Sequence, residues 1–288
     1  MSDPPAATGR FGRLLHWPGW VKVAALATIV GTLGASGAAI GALWFTGQSL
    51  RATNSQISLA QQTAVTDRFR LAADQLASDK ISVRISGIYL FERLAKDSPA
   101  DHPTVFAVLA AFLRTQTTAS ACGTPQSPAD EPPADIQTAL TVIGRREVVH
   151  DTVDRTLVPL DLRRTCLSGA DLDNAHLAVA FLHRASLIGA NLIHADLTNA
   201  RLTDANLTGV DLRYADMTYA HLIGADLTGA TLTGATLINT KLTGANLAGV
   251  DLRYTNMTDA NLTDANLTGT MYDNDTRWPE GFTPPPSR

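Results

Sequence analysis

Cysteine is scarce in this sequence. Its 288 residues contain two, Cys122 and Cys166, in neither CxxC nor Cys/His spacing. That excludes a zinc ribbon or an iron–sulfur site built from cysteines alone. The pair are either two unrelated thiols or one disulfide pinning a linker, and the second option needs an oxidising compartment. Charge is thin as well: charged residues are 17% and the formal net charge is −4, so no basic balance points to nucleic acid. No G-x-x-x-x-G-K-[ST], G-x-S-x-G, H-E-x-x-H or EF-hand loop occurs, which leaves the P-loop, hydrolase, zincin and calcium-loop chemistries without a signature. What the second half has in quantity is Ala, Leu, Thr and Gly, a skew that suggests a repetitive architecture rather than an ordinary enzyme core.

Charge is wholly missing from Val23–Phe45. Twenty-three helical residues at ~1.5 Å each cross roughly 34 Å, enough for the hydrocarbon core of a bilayer. Trp17 and Trp20 stand at one end and Trp44 at the other, as interfacial tryptophans do. The run is longer than a signal-peptide core and no clear A-x-A closes it, so a retained anchor is expected. Arg10, Arg13 and Lys22 precede it and Arg51 follows, which favours an N-terminus inside and the C-terminal part outside. Gly34, Gly37 and Gly41 lie at spacings that let two spans approach closely and form a homo-oligomer.

After a polar tail (1–22) and the span (23–45), residues 46–118 read as a helical stalk and a helical hairpin. A helix capped by Ser78 or Asp79 carries Ile81, Ile85, Ile88, Tyr89 and Ala95 at helical spacing, and a second starts at Asp101 or His102 with Pro103 in its first turn. The two are expected to bury their stripes against each other. A Pro-rich linker (119–133) follows, then a short helix and entry loop (134–159) that can cover an open end of what comes next.

From Leu160 to Gly269 the chain repeats every five residues. Residues 162, 167, 172 and onward to 267 are all Leu except Met217 and Met257, with a small residue two before and Asp or Asn often just before. Neither a helix nor an ordinary strand has a period of five, so the segment is a solenoid. The unit A-(D/N)-L-x-x, as in Ala170-Asp171-Leu172, Ala205-Asn206-Leu207 and Ala265-Asn266-Leu267, resembles the pentapeptide repeat family. That resemblance implies a mainly β fold, a right-handed quadrilateral β-helix of 20 residues per coil with parallel strands, Leu and the small residue inward. A closing stretch (270–288) with Tyr272, Trp278 and Phe282 is similar to endings common in the family. The span, helices and repeats together resemble a membrane-anchored, actinobacterial-type subset.

No catalytic, cofactor or metal site is expected. His176, His183, His194 and His221 fall on different faces or different outward positions, and most repeat aspartates occupy the structural position before Leu. Tyr89, Glu92, Arg93 and Asp97 are the polar candidates of the helical part and read as surface residues. Asn206, Asn256, Asn261 and Asn266 begin N-x-T only because the repeat wording is A-N-L-T or close to it. Some pentapeptide repeat proteins are DNA mimics that bind gyrase and confer quinolone resistance. Here 11 Asp stand against 7 Lys/Arg between Leu160 and Gly269, too few for a dense negative field. The expected function is therefore a non-enzymatic single-pass membrane protein presenting the rod as a protein-interaction scaffold, with gyrase antagonism as the alternative. The hexapeptide GVDLRY occurs at Gly209–Tyr214 and Gly249–Tyr254, inside a 40-residue duplication. It projects Arg213, Tyr214, Arg253 and Tyr254 from one face around a shallow slot over Thr233 and Gly234, the expected protein-contact patch.

Overall fold

Among the described residues from Val65 onward, four α-helices precede the repeats in the computed structural model: α1 (65–76 in this part of the chain), α2 (Ile81–Asp97), α3 (His102–Gln116) and α4 (Ala134–Gly144). The structure describes residues 51, 56, 60, 63–118, 122, 131–153 and 156–287. The chain divides into two compact units, Met1–Ala64 and Val65–Arg288. The tail, the span with Gly34, Gly37 and Gly41, and most of the stalk and linker lie outside the described residues. Among the described residues no helix is long and apolar enough to cross a membrane.

The buried face of α2 is Gly87, Ile88, Phe91, Glu92, Leu94 and Ala95. Ile81 and Tyr89, expected on that stripe, are exposed. Gly87 explains the rotation: a Cβ there would meet the Leu76 nitrogen at 2.8 Å and the Ala72 carbonyl at 2.9 Å, so α1 crosses α2 where a side chain is missing. The helix begins at Ile81 after Lys80, while the Ser78 hydroxyl accepts from the Lys80 N–H at 3.2 Å instead of capping the helix. α3 begins at His102 with Pro103 in its first turn, where its missing N–H is harmless. α4 packs on both α2 and α3, so the expected hairpin is part of a three-helix cluster.

The repeats form a four-sided rod. Each residue before a core Leu pairs in parallel with the residues 20 before and 20 after it, as in Asp171↔Asn191↔Asp211. Three hydrogen bonds join each step to the next coil: Leu172 N–H to Asn191 O at 2.7 Å, Asn191 N–H to Ala170 O at 2.9 Å, and Asn174 N–H at the corner to Ile193 O at 2.9 Å. The expected parallel strands are isolated bridges instead. The cause is the corner two residues after each Leu, which enters the left-handed region (Asn174 φ 55°, Gly189 φ 62°, Tyr214 φ 59°) and bends the chain before a second pair forms. Leu and Ala side chains fill the interior. Where Thr replaces Ala its buried hydroxyl finds a carbonyl, as Thr240 does with Met217 at 3.0 Å and Thr255 with Leu232 at 3.0 Å.

The helical cluster closes the first coil by supplying the acceptors that a preceding coil would supply. Cys166 N–H donates to Thr117 O at the end of α3 (3.0 Å), and His176 N–H to Gly144 O at the end of α4 (2.8 Å). Asp171 N–H donates to the Gln137 side-chain oxygen (3.0 Å), and the Gln137 amide returns a bond to Asp171 O (2.7 Å). These contacts blunt an open sheet edge. A short antiparallel pair, β1 (Thr152–Val153) and β2 (Thr156–Leu157), leads into the rod. At the other end Met271 and Arg277 still pair with Asp251 and Asn256, the register slipping by one residue between them. Tyr272, Trp278 and Phe282 then pack against the core, Trp278 and Phe282 stacked at 5.3 Å.

Candidate functional site

Because a coil holds four pentapeptides, every twentieth residue shares a side, and the sides are named here by their first core leucine. On the Leu172 side one corner position reads His194, Tyr214, Gly234 and Tyr254 in successive coils. Tyr214 and Tyr254 are each 59% exposed. In both copies the Asp-Leu-Arg segment makes a fork in which the arginine closes back on its own strand. Arg213 donates to Asp211 at 2.9 and 2.7 Å, and Arg253 to Asp251 at 2.9 and 2.6 Å. The Arg253 hydrogen bonds hold the Asp251 carboxyl below the usual range, against the opposing effect of burial. The expected slot is not open. The Tyr214 ring stacks on His194 at 5.2 Å and leans over Gly234, where a Cβ would sit 2.7 Å from ring carbons. Gly234, φ 72°, thus both turns the corner and makes room for the ring.

The histidines do not gather. His176 lies on the Leu177 side, His194 on the Leu172 side, and His183 and His221 at different outward positions of the Leu162 side. Among the described residues no group of His, Cys, Asp and Glu could hold a metal ion. The polar candidates of α2 do not converge either. Tyr89 is exposed, Arg93 faces Asp97 at 3.7 Å, and Asp97 also meets Arg68 at 3.2 Å. Glu92 is clamped by Arg145 (2.7 Å) and Lys96 (2.9 Å), whose hydrogen bonds outweigh burial and lower its pKa. The structure joins Cys122 to Cys166 with Cα atoms 5.4 Å apart, tying the chain beyond α3 to the first coil.

Two clusters escaped the sequence reading. The first is buried between α3 and the entry loop: His102, Arg146 and Asp151. Arg146 Nε donates to Asp151 Oδ2 at 2.8 Å, and Asp151 Oδ1 lies 3.2 Å from His102 Nδ1 without the alignment of a hydrogen bond. Burial lowers the His102 pKa despite the nearby carboxylate. The second is on the Leu162 side. There the position before Leu reads Asp161, Phe181, Arg201, His221, Lys241 and Asn261, flanked by Arg163, Arg164, His183 and Arg184. Five of the seven rod cations share this side. A cavity of about 580 Å³ opens there between Arg114, Arg163, Arg164, His183, Arg184 and Asp204. Counting charges over the whole rod hid this side; reading every twentieth residue would have found it.

A four-sided coil of five-residue steps, Leu and Ala inward, defines a pentapeptide-repeat solenoid. The family described as pentapeptide repeats, in eight copies, matches residues 165–204, 205–244 and 232–269. The chain belongs to the pentapeptide repeat family, whose fold is a right-handed β-helix. Among solved structures it is similar to a pentapeptide repeat protein involved in heterocyst differentiation regulation from the cyanobacterium Nostoc. Identity there is 27%, over 41% of this chain and 74% of that one, with a TM-score of 0.27. A second Nostoc pentapeptide repeat protein is 39% identical over 31% of this chain and 77% of that one, TM-score 0.23. One from the Arabidopsis thaliana thylakoid lumen is 35% identical over 36% of this chain and 66% of that one, TM-score 0.26. No curated protein sequence matches the chain.

Proposed function

We propose that the protein is a non-enzymatic, single-pass membrane protein whose rod is a rigid scaffold for a protein partner. The observation that carries this reading is the placement of Tyr214 and Tyr254. Both are bulky L-residues held at left-handed corners, φ 59° and 60°, where glycine stands at many equivalent positions. The same corner is left-handed throughout the rod and is filled by residues as different as Asn174, Val179 and Arg184, so what sets this pair apart is two large rings left 59% exposed on one side. Two exposed tyrosines beside two arginines are typical interface anchors. The Leu172 side is therefore the proposed contact surface, with Tyr214 as a fixed shelf on His194 and Gly234, and Tyr254 as the free ring.

In this reading the charge-free run 23–45 is the anchor; the three cations before it against one after favour the rod on the outer side, and Gly34, Gly37 and Gly41 offer a surface through which two spans can pair. The gyrase-antagonist alternative needs a dense, continuous acidic field, and 11 aspartates against seven cations, with Asp211 and Asp251 already paired to Arg213 and Arg253, argue against one. The test is affinity capture on the full chain from detergent extract, wild type against Tyr214→Ala/Tyr254→Ala. Partners lost from the double variant support the reading; an unchanged partner set sinks it.

A further inference from the structure

We propose that the cleft on the Leu162 side is a binding site for a phosphate-bearing anion, a role independent of the partner surface on the Leu172 side. Three separate parts of the fold converge on it. Arg114 comes from the last turn of α3, Arg163 and Arg164 from the first coil, and His183 and Arg184 from the second. The two carboxylates present are already engaged: Asp161 by Arg163 at 2.8 and 2.9 Å with Arg114 at 3.4 Å, and Asp204 by Arg184 at 3.3 Å. Among the described residues Arg164, which lines the cleft, forms no ion pair, and neither does Arg201, which lies outside the lining on the Phe181 ring it shares with Arg163. The site thus carries more positive charge than its own carboxylates neutralise.

Other features fit an anion. The Phe181 ring lies under both Arg201 and Arg163, their guanidinium carbons 4.9 and 5.9 Å from its centre, which orients the two cations before any ligand arrives. The His183 Nδ1 atom is buried without a hydrogen-bond partner. Burial, and then Arg201 and Arg163, lower the His183 pKa, as expected where the local field is positive. Tetrahedral phosphate offers several oxygens in different directions, so guanidinium groups on successive coils, about 4.8 Å apart, can each contribute a fork. A single planar carboxylate would occupy one of them. The cavity, about 580 Å³, has the size of small-ligand sites. The remaining three sides hold eight of the rod's 11 aspartates against two arginines, which disfavours a long polyanion such as duplex nucleic acid and suits a compact one.

The experiment is calorimetric titration of the full chain in uncharged detergent, in two arms. One uses pyrophosphate; the other uses glycerophosphoglycerol, the soluble headgroup of an anionic phospholipid. The variant is Arg164→Gln/Arg184→Gln, and the control is Arg70→Gln/Arg93→Gln, which removes the same charge from exposed helix positions. Binding of pyrophosphate that weakens roughly tenfold or more in the cleft variant, but not in the control, supports a free phosphate ligand. The same pattern with the headgroup alone supports a lipid source. No binding in either arm, or binding that the cleft variant leaves unchanged, overturns the proposal. A separate titration with hexaglutamate completes the test: selective binding of that peptide would assign the cleft to an acidic protein segment and overturn the proposal.

Discussion

Reduction of the Cys122–Cys166 bridge should loosen the junction between the helical cluster and the rod. The partners are 44 residues apart in sequence. Closing a loop of that length removes unfolded-state entropy equivalent to about 4 kcal/mol at 25 °C. The realised effect is smaller, because the reduced folded protein also gains freedom at Cys122 itself. It does not regain it in α4, which stays fixed by Gln137 to Asp171 and by Arg84 to Asp135 at 2.6 Å. A loss of roughly 2–4 kcal/mol is expected, and at about 2–4 °C per kcal/mol for a unit of this size the melting temperature should fall about 5–15 °C. The assay is thermal unfolding with and without dithiothreitol, beside Cys122→Ser and Cys122→Ser/Cys166→Ser. The variants should melt with the reduced protein and ignore reductant. Equal melting temperatures for oxidised and reduced wild type, or alkylation of both thiols in protein isolated under non-reducing conditions, would refute the reasoning. The second outcome would also argue against an oxidising compartment for the rod.

Two further outcomes follow from the packing. Leu207→Ala, in mid-rod and 1% exposed, should cost about 3–5 kcal/mol, while Leu267→Ala, beside the aromatic cap and 8% exposed, should cost about half as much because the end coil relaxes locally; equal shifts in denaturant midpoint would contradict this. His102 has a folded-state pKa below its ordinary 6.5, so between those two values the unfolded chain binds a proton the folded chain refuses. Stability should therefore fall as pH drops below about 6.5, at no more than ~1.4 kcal/mol per pH unit from this group; His102→Gln should flatten the slope, and an unchanged slope would rule His102 out as its source.

The rod was legible in the sequence because one rule repeats: Leu at every fifth position and a small residue two before can fill a narrow tube in only one way. The helices were legible as helices, and Ile88 and Ala95 are buried as their spacing implied, but Ile81 and Tyr89 are exposed, because Gly87 counts for nothing in a hydrophobic pattern and is what lets α1 approach. The 40-residue spacing was enough to put Tyr214 and Tyr254 on one side of the rod, but not to show the space between them, since no linear pattern reveals that the Tyr214 ring leans onto Gly234. The cation-rich cleft was missed for a different reason. Its lining residues are spread from Arg114 to Asp204 and meet only when the register is folded at 20 and α3 is docked on the first coil.

The 20-residue coil sets a phase for any change in length. Adding one pentapeptide would swing everything beyond it through a quarter turn, so that tyrosines now aligned with His194 would point along a neighbouring side. Adding 20 or 40 residues only lifts the later storeys and leaves their bearings unchanged. The segments 201–230 and 241–270, identical at about two-thirds of positions, differ by one such permitted step. Height along the axis and heading around it are thereby separable in this chain: a surface can be raised past the helical cluster without being re-aimed, or re-aimed by five residues without a new fold.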